Sequence, residues 1–105
     1  MDTVSYWTGE HGDKPKEFYQ SASGKDDGIT LIYGYYEHKH NGNKEKAIGI
    51  FWNENWPVSY GRLSPCIIPE PEAGIFLRGL LGSLLAEKKY KIAMGVIEAL
   101  DFLCK

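Results

Sequence analysis

The sequence lacks the motifs that most often identify the function of a small protein. No Gly-x-Ser-x-Gly elbow, no glycine-rich phosphate loop and no Cys-x-x-Cys pair occurs among its 105 residues. Their absence argues against hydrolase-type nucleophilic catalysis, against nucleotide binding through such a loop and against a structural zinc site. We therefore interpret the chain as having no catalytic residues and no cofactor, with an enzyme as the less favoured alternative.

Cysteines and long hydrophobic runs are also scarce. Cys66 and Cys104 are the two cysteines, and since an isolated cysteine behaves as a small hydrophobe we expect both to be buried and reduced rather than joined in a disulfide. The most apolar stretch, 75–86, contains Arg78 and is shorter than the roughly 20 residues that span a bilayer. With no signal peptide pattern at the N-terminus, the sequence predicts a cytoplasmic protein of bacterial type that does not enter a membrane.

The chain has no excess charge of either sign. Twelve Lys and Arg residues stand against 14 Asp and Glu, for a net charge of −2, whereas nucleic-acid binders usually carry a strongly basic surface. The composition is 43% hydrophobic and includes seven Tyr, four Phe and three Trp, which is too apolar for a disordered chain. It predicts a single domain over 1–105.

The order of residue types along the chain predicts an α+β fold. Aromatic residues and glycines concentrate before Pro65, whereas Leu, Ile and Ala dominate afterwards, so strands precede helices. We expect an antiparallel sheet of four to five strands, arranged as a meander, followed by two C-terminal helices packed on one sheet face. The predicted bounds are 1–63 for the sheet, 64–71 for a proline-rich linker and 72–104 for the helices.

The strongest local signal is a β-hairpin. Two apolar segments, 29–38 and 46–52, flank Asn41-Gly42, a dipeptide typical of type I′ turns. A two-residue loop there would place Tyr33 opposite Ile50. One face of this hairpin is bulky and apolar and is predicted to receive the helices: Leu31, Tyr33, Tyr35, Ile48, Ile50 and Trp52.

The opposite hairpin face is apolar as well, with aromatic residues around Gly34 and Gly49. Segment 58–63 is predicted to continue the sheet beside 46–52, which would set Val58 opposite Phe51. Either an aromatic ring of the chain covers the two glycines, or the face is an exposed surface that binds a partner. The candidate ligand-binding or interface residues are Tyr36, Phe51, Trp56, Val58 and Tyr60.

The helical region shows two apolar stripes that are out of phase. Five leucines (77, 80, 81, 84 and 85) share one stripe, and Ile92, Val96, Ile97, Leu100 and Leu103 share another, which predicts a break between Lys88 and Lys91. Small residues lie opposite the leucines. They would admit another backbone, either the second helix through Gly95 and Ala99 or a second copy of the chain, so they form a candidate dimer seam: Gly79, Gly82, Ser83 and Ala86.

His38 and His40 are the only pattern that suggests a metal. On an extended strand both imidazoles would point to one side, but a metal needs a third ligand and the sequence places none nearby. We therefore predict no metal site and keep the two histidines as candidates only.

These observations together indicate a small non-catalytic interaction protein that acts as a homodimer and binds a protein or peptide partner. One alternative is a single-stranded nucleic-acid-binding module that stacks bases on Tyr36, Trp56 and Tyr60 beside nearby lysines. The other is a small-molecule pocket or metal-dependent hydrolytic site at His38 and His40.

Overall fold

The computed structural model describes residues 6–11, 14–21, 28–37, 42–52, 58–59, 62–63 and 66–105. These residues form an antiparallel sheet followed by two helices, so the predicted α+β fold is confirmed. In chain order the elements are β1 (Tyr6–Thr8), β2 (Lys16–Gln20), β3 (Ile29–Glu37), β4 (Lys44–Trp52), β5 (Val58–Ser59), β6 (Arg62–Leu63), β7 (Cys66–Pro69), α1 (Glu70–Ala86) and α2 (Tyr90–Cys104).

β3 is the central strand of a five-stranded sheet. It pairs along its whole length with β4, and its other edge is shared by β1 and β2. β1 pairs with the C-terminal part of β3 and β2 with the N-terminal part, so that Thr8 lies opposite Tyr35 and Lys16 opposite Tyr33. β7 completes the sheet by pairing with β4.

The register of the β3–β4 hairpin differs from the prediction by two residues. Tyr33 lies opposite Ile48 rather than Ile50, and the last pair is Glu37 with Lys44. Residues 38–43 connect the strands, and this connection is longer than a two-residue type I′ turn allows. Because side chains alternate with a period of two, this shift leaves every residue on its predicted face.

The prediction that 58–63 pairs with β4 is wrong. β5 and β6 form a separate two-stranded sheet, and the outer edge of β4 is filled by β7, with Ile67 opposite Gly49. Of the segment predicted as a proline-rich linker, residues 64–65 lie outside the described residues, and 66–69 are extended but also hydrogen-bond as an edge strand. Glu70 and Pro71 already belong to α1, so the helix begins two residues before its predicted start. An edge position suits Pro69, which has no N–H to donate, and α1 begins at Glu70, directly after it.

The helix break lies where the two stripes predict it. Lys88 adopts φ 63°, and the N–H of Lys89 donates to the carbonyl of Leu84 at 2.9 Å while that of Lys88 donates to Leu85 at 3.0 Å. These two bonds are those of a Schellman motif, with a lysine at the left-handed position usually taken by glycine. Over the described residues, no helix is long and apolar enough to cross a membrane.

The main core lies between the helices and the predicted face of the hairpin. Leu31, Tyr33 and Ile48 belong to one buried cluster with residues of both helices, and the Phe102 ring centroid lies 4.9 Å from that of Tyr33 and 5.2 Å from that of Tyr35. The placement of both helices on one sheet face is therefore confirmed.

The side that α2 turns to the core matches the predicted stripe at Val96, Leu100 and Leu103, but not at its two isoleucines. Ile92 and Ile97 are exposed, and the buried residues are Ala93, Val96, Ala99, Phe102 and Leu103. The reason is a close approach to β2, since a Cβ added to Gly95 would lie 2.7 Å from the carbonyl oxygen of Phe18. At that separation only small side chains fit between helix and strand, and the isoleucines turn outward.

An ion pair links the end of α2 to the chain after β1. The Nζ of Lys105 lies 2.6 Å from a carboxylate oxygen of Glu10, and this hydrogen bond lowers the pKa of Glu10 and raises that of Lys105. Lys46 of β4 donates to the Lys105 carbonyl oxygen at 2.6 Å. These exposed contacts hold the end of α2 beside β4 and the residues after β1, but they contribute little to the free energy of unfolding.

Candidate interaction surface

The second sheet face, where sequence analysis places the binding residues, is largely filled by the chain. Phe51 is 8% exposed and packs with Trp7, Ile32 and Ala47. Tyr36 is half-buried against this cluster, with its ring centroid 5.7 Å from that of Trp7 in an edge-on arrangement. Val58 begins β5, whereas Trp56 and Tyr60 lie outside the described residues.

Gly34 shows how the glycine floor of this face is covered. A Cβ at Gly34 would lie 2.5 Å from the carbonyl oxygen of Thr8 and 3.2 Å from the Cβ of Pro15. Among the described residues, the cover at this glycine is therefore the backbone of β1 and the side chain of Pro15. Around Gly34 the described part of the sheet leaves no room for a ligand.

The residues considered for metal or redox chemistry form no site over the part of the chain that is described. His38 and His40 lie outside it, and within it no group of three His, Cys, Asp or Glu residues could hold a metal ion. Cys66 and Cys104 are free thiols, but both are exposed, so the expectation that they are buried is wrong. Cys66 begins an edge strand and Cys104 ends α2, and neither position faces the core.

A shallow groove of about 420 Å³ runs between β2 and α2. It exists because Gly95 lets the helix approach the strand, and Ile92 lies along one side. Lys16 at its rim is paired with Glu98, with 2.9 Å between Nζ and the carboxylate oxygen, and this hydrogen bond raises the pKa of Lys16. Of the charged residues that line the groove, Lys16 and Glu98 are therefore turned toward each other rather than toward a bound molecule.

Among the residues whose side chains are described, the most exposed large apolar ones lie on the helices. Ile75 is 70% exposed, Met94 66% and Ile97 49%. We call the surface to which they belong the outer helix face, and it consists of Ile75, Phe76, Gly79, Gly82, Ser83 and Ala86 of α1 with Tyr90, Met94 and Ile97 of α2. Its five large side chains expose about 120 Å² each, or roughly 600 Å² in all, which reaches the upper end of the largest patch on an ordinary monomer.

The predicted dimer seam lies within this outer helix face. Gly79, Gly82, Ser83 and Ala86 are all exposed, and a Cβ added to Gly79 or Gly82 would meet nothing within 4 Å. The alternative that these glycines serve packing between α1 and α2 is therefore wrong. The small residues of α2 also point elsewhere, because Gly95 lies against β2 and Ala99 is buried in the core.

Charged residues border the outer helix face at its ends. Glu70 and Glu72 occupy the first turn of α1, and Lys88 and Lys89 follow its last turn. Between these ends, the side of α1 opposite the buried leucines is apolar or small, with the exposed Arg78 at its edge. Sequence analysis found the small residues but missed the large ones beside them, although Ile75 and Met94 fall outside both predicted buried stripes and could have been recognised.

No protein family model, curated protein or solved structure matches this chain.

Proposed function

We propose that this protein is a non-catalytic interaction protein that binds a protein partner through its outer helix face. The supporting observation is the exposure of Ile75, Met94 and Ile97 on the two helices. Apolar patches of this size, bordered by charge, are typical of protein-binding sites. Methionine and tyrosine, present here as Met94 and Tyr90, are also enriched at such interfaces.

The nucleic-acid alternative is less compatible with the geometry. Base stacking needs an open aromatic ring face. Of the three residues predicted to stack bases, Trp56 and Tyr60 lie outside the described residues, and the half-buried Tyr36 packs edge-on against Trp7. The described part of the sheet face around Tyr36 is filled by the chain, since Phe51 is buried. We therefore propose protein binding by the helices in place of ligand binding by the sheet.

Site-specific photo-crosslinking in the native host cells tests the proposal. A Met94→p-benzoylphenylalanine variant should give a discrete protein adduct on irradiation. The matched control is Lys44→p-benzoylphenylalanine, which places the same group at an exposed position on β4 and should give none.

A second substitution shows whether an adduct depends on the surface. Adding Ile97→Lys to the Met94 probe introduces a charge that the interface would have to desolvate, and the adduct yield should fall at least tenfold. Circular dichroism should show both chains equally folded, since Ile97 is half exposed. The proposal is wrong if the Met94 probe crosslinks no better than the Lys44 probe, or if Ile97→Lys leaves the yield unchanged.

A further inference from the structure

We infer that the partner on the outer helix face is a second copy of this chain, with α1 packed antiparallel against α1 of the partner subunit about a two-fold axis near Gly79 and Gly82. The inference rests on the proposed function of this face as a protein-binding surface. It adds the identity of the partner and the orientation of the contact.

Gly79 and Gly82 support a close contact between two helices. Each costs a helix about 1 kcal/mol relative to alanine, and neither has the positive φ that would require glycine. No neighbouring atom within the described chain uses the space that their missing side chains leave. An approaching helix backbone can use it, because small residues at a contact reduce the distance between helix axes.

Large and small residues of α1 match across a two-fold axis. Antiparallel pairing centred between Gly79 and Gly82 sets Gly79 opposite Gly82 of the partner subunit. The same register sets Ile75 opposite Ala86 of the partner subunit, so that the most exposed isoleucine meets a small residue. A two-fold contact repeats both pairs, as an isologous interface requires.

The two ends of α1 carry opposite charges, which makes an antiparallel pair of α1 helices complementary. Its first turn carries Glu70 and Glu72, whereas the segment 87–91 carries three lysines against one glutamate. Antiparallel pairing brings the acidic end of one α1 to the basic end of the other, with Glu72 near Lys89 of the partner subunit. Within its own chain, the Nζ of Lys89 lies 3.2 Å from a carboxylate oxygen of Glu87, so Glu72 would be a second acidic neighbour of this lysine. Parallel pairing would bring like charges together, so the charges favour the antiparallel arrangement.

The exposed apolar area of the outer helix face also supports a second copy of the chain as the partner. Counted from the turn between the helices, Met94 and Ile97 lie at about the same levels as Gly82 and Gly79, so they flank the glycines along the hairpin. The roughly 600 Å² of large apolar side chains, together with the exposed small residues between them, approaches the about 800 Å² per partner of a standard stable interface.

The mass of the purified chain in solution tests the inference first. Light scattering with size-exclusion chromatography should give twice 11.9 kDa, falling to the single-chain mass on dilution. Gly79→Ala should weaken the dimer by about tenfold, because it inserts a methyl group at the closest contact. Gly74→Ala, whose added Cβ would meet only the Arg78 side chain at 3.6 Å, is the matched control and should leave the dimer unchanged.

Charge reversal tests the orientation. Glu72→Lys and Lys89→Glu chains should each dimerise roughly tenfold more weakly, since each homodimer then contains two like-charged contacts. An equal mixture of the two chains should recover the native affinity, because both contacts in the mixed dimer again join opposite charges. If the single variants dimerise as tightly as the native chain, the antiparallel placement is overturned.

Other outcomes separate this inference from the proposed function. A chain that stays at 11.9 kDa at all accessible concentrations, while the Met94 probe crosslinks to a different protein, overturns the second copy and leaves the binding function standing. A single-chain mass with no Met94 crosslink overturns both. A dimer that is indifferent to Gly79→Ala overturns the contact at the glycines.

Discussion

Gly95 offers a direct test of how closely α2 approaches the sheet. A Cβ at this position would lie 2.7 Å from the carbonyl oxygen of Phe18 and 3.6 Å from its carbonyl carbon. Both atoms belong to the backbone of β2, so no side-chain rotation can relieve the contact. Gly95→Ala must move either the helix or the strand.

The expected magnitude follows from two opposing effects. Alanine is favoured over glycine in a helix by about 1 kcal/mol, whereas forcing a methyl group into a packed contact costs about 1–3 kcal/mol. Because the obstacle is backbone, we expect the steric cost to lie in the upper part of that range. Gly95→Ala should then lower the free energy of unfolding by about 1–2 kcal/mol, despite its better helix propensity.

Gly74→Ala in α1 supplies the matched control, because its Cβ would make only an ordinary contact with the Arg78 guanidinium. It should raise the free energy of unfolding by up to about 1 kcal/mol. Urea titration of both variants, followed by circular dichroism, should move the midpoints in opposite directions with unchanged slopes. A Gly95→Ala chain at least as stable as the native one would refute the close packing of α2 on β2.

Two further predictions concern pH and the turn between the helices. Burial raises the pKa of the Tyr33 phenol above its usual 10.0, so the folded chain holds this proton more tightly than the unfolded chain. The corresponding contribution to the free energy of unfolding is complete below pH 10 and is lost as pH rises through the folded pKa. In urea titrations, Tyr33→Phe should therefore make the fall in stability between pH 10 and 12 shallower, and an unchanged fall would contradict this. Lys88→Gly should raise the free energy of unfolding by about 1 kcal/mol because it removes the cost of a lysine in the left-handed conformation. Lys89→Gly is the control, because Lys89 has φ −92° and should give no such gain in the same assay. Equal effects of the two substitutions would contradict the Schellman geometry.

The parts of the fold that follow from local pattern could be predicted from the sequence. The two hairpin faces are correct even though the register is not, since a shift of two residues preserves the side of every residue. The position of the helix break is correct because the phase of the apolar pattern changes between Leu85 and Ile92, although these two residues are themselves exposed.

The wrong predictions concern choices between distant partners. β5, β6 and β7 are all short strands that follow β4, and nothing local shows that Ile67 rather than Val58 pairs beside β4. The orientation of α2 likewise depends on the contact between Gly95 and Phe18, which are remote in sequence. Once that contact turns Ala93 and Ala99 inward, Ile97 must turn outward, and the outer helix face gains a residue that periodicity assigns to the core.

The position of α2 in the chain has a consequence for synthesis. This helix contributes Val96, Ala99 and Phe102 to the core, yet it follows every other described element in chain order. A nascent chain on the ribosome therefore carries a nearly finished sheet whose Leu31, Tyr33 and Ile48 are not yet fully covered. Folding can finish only after α2 has emerged, and translation products cut short before Tyr90 should aggregate.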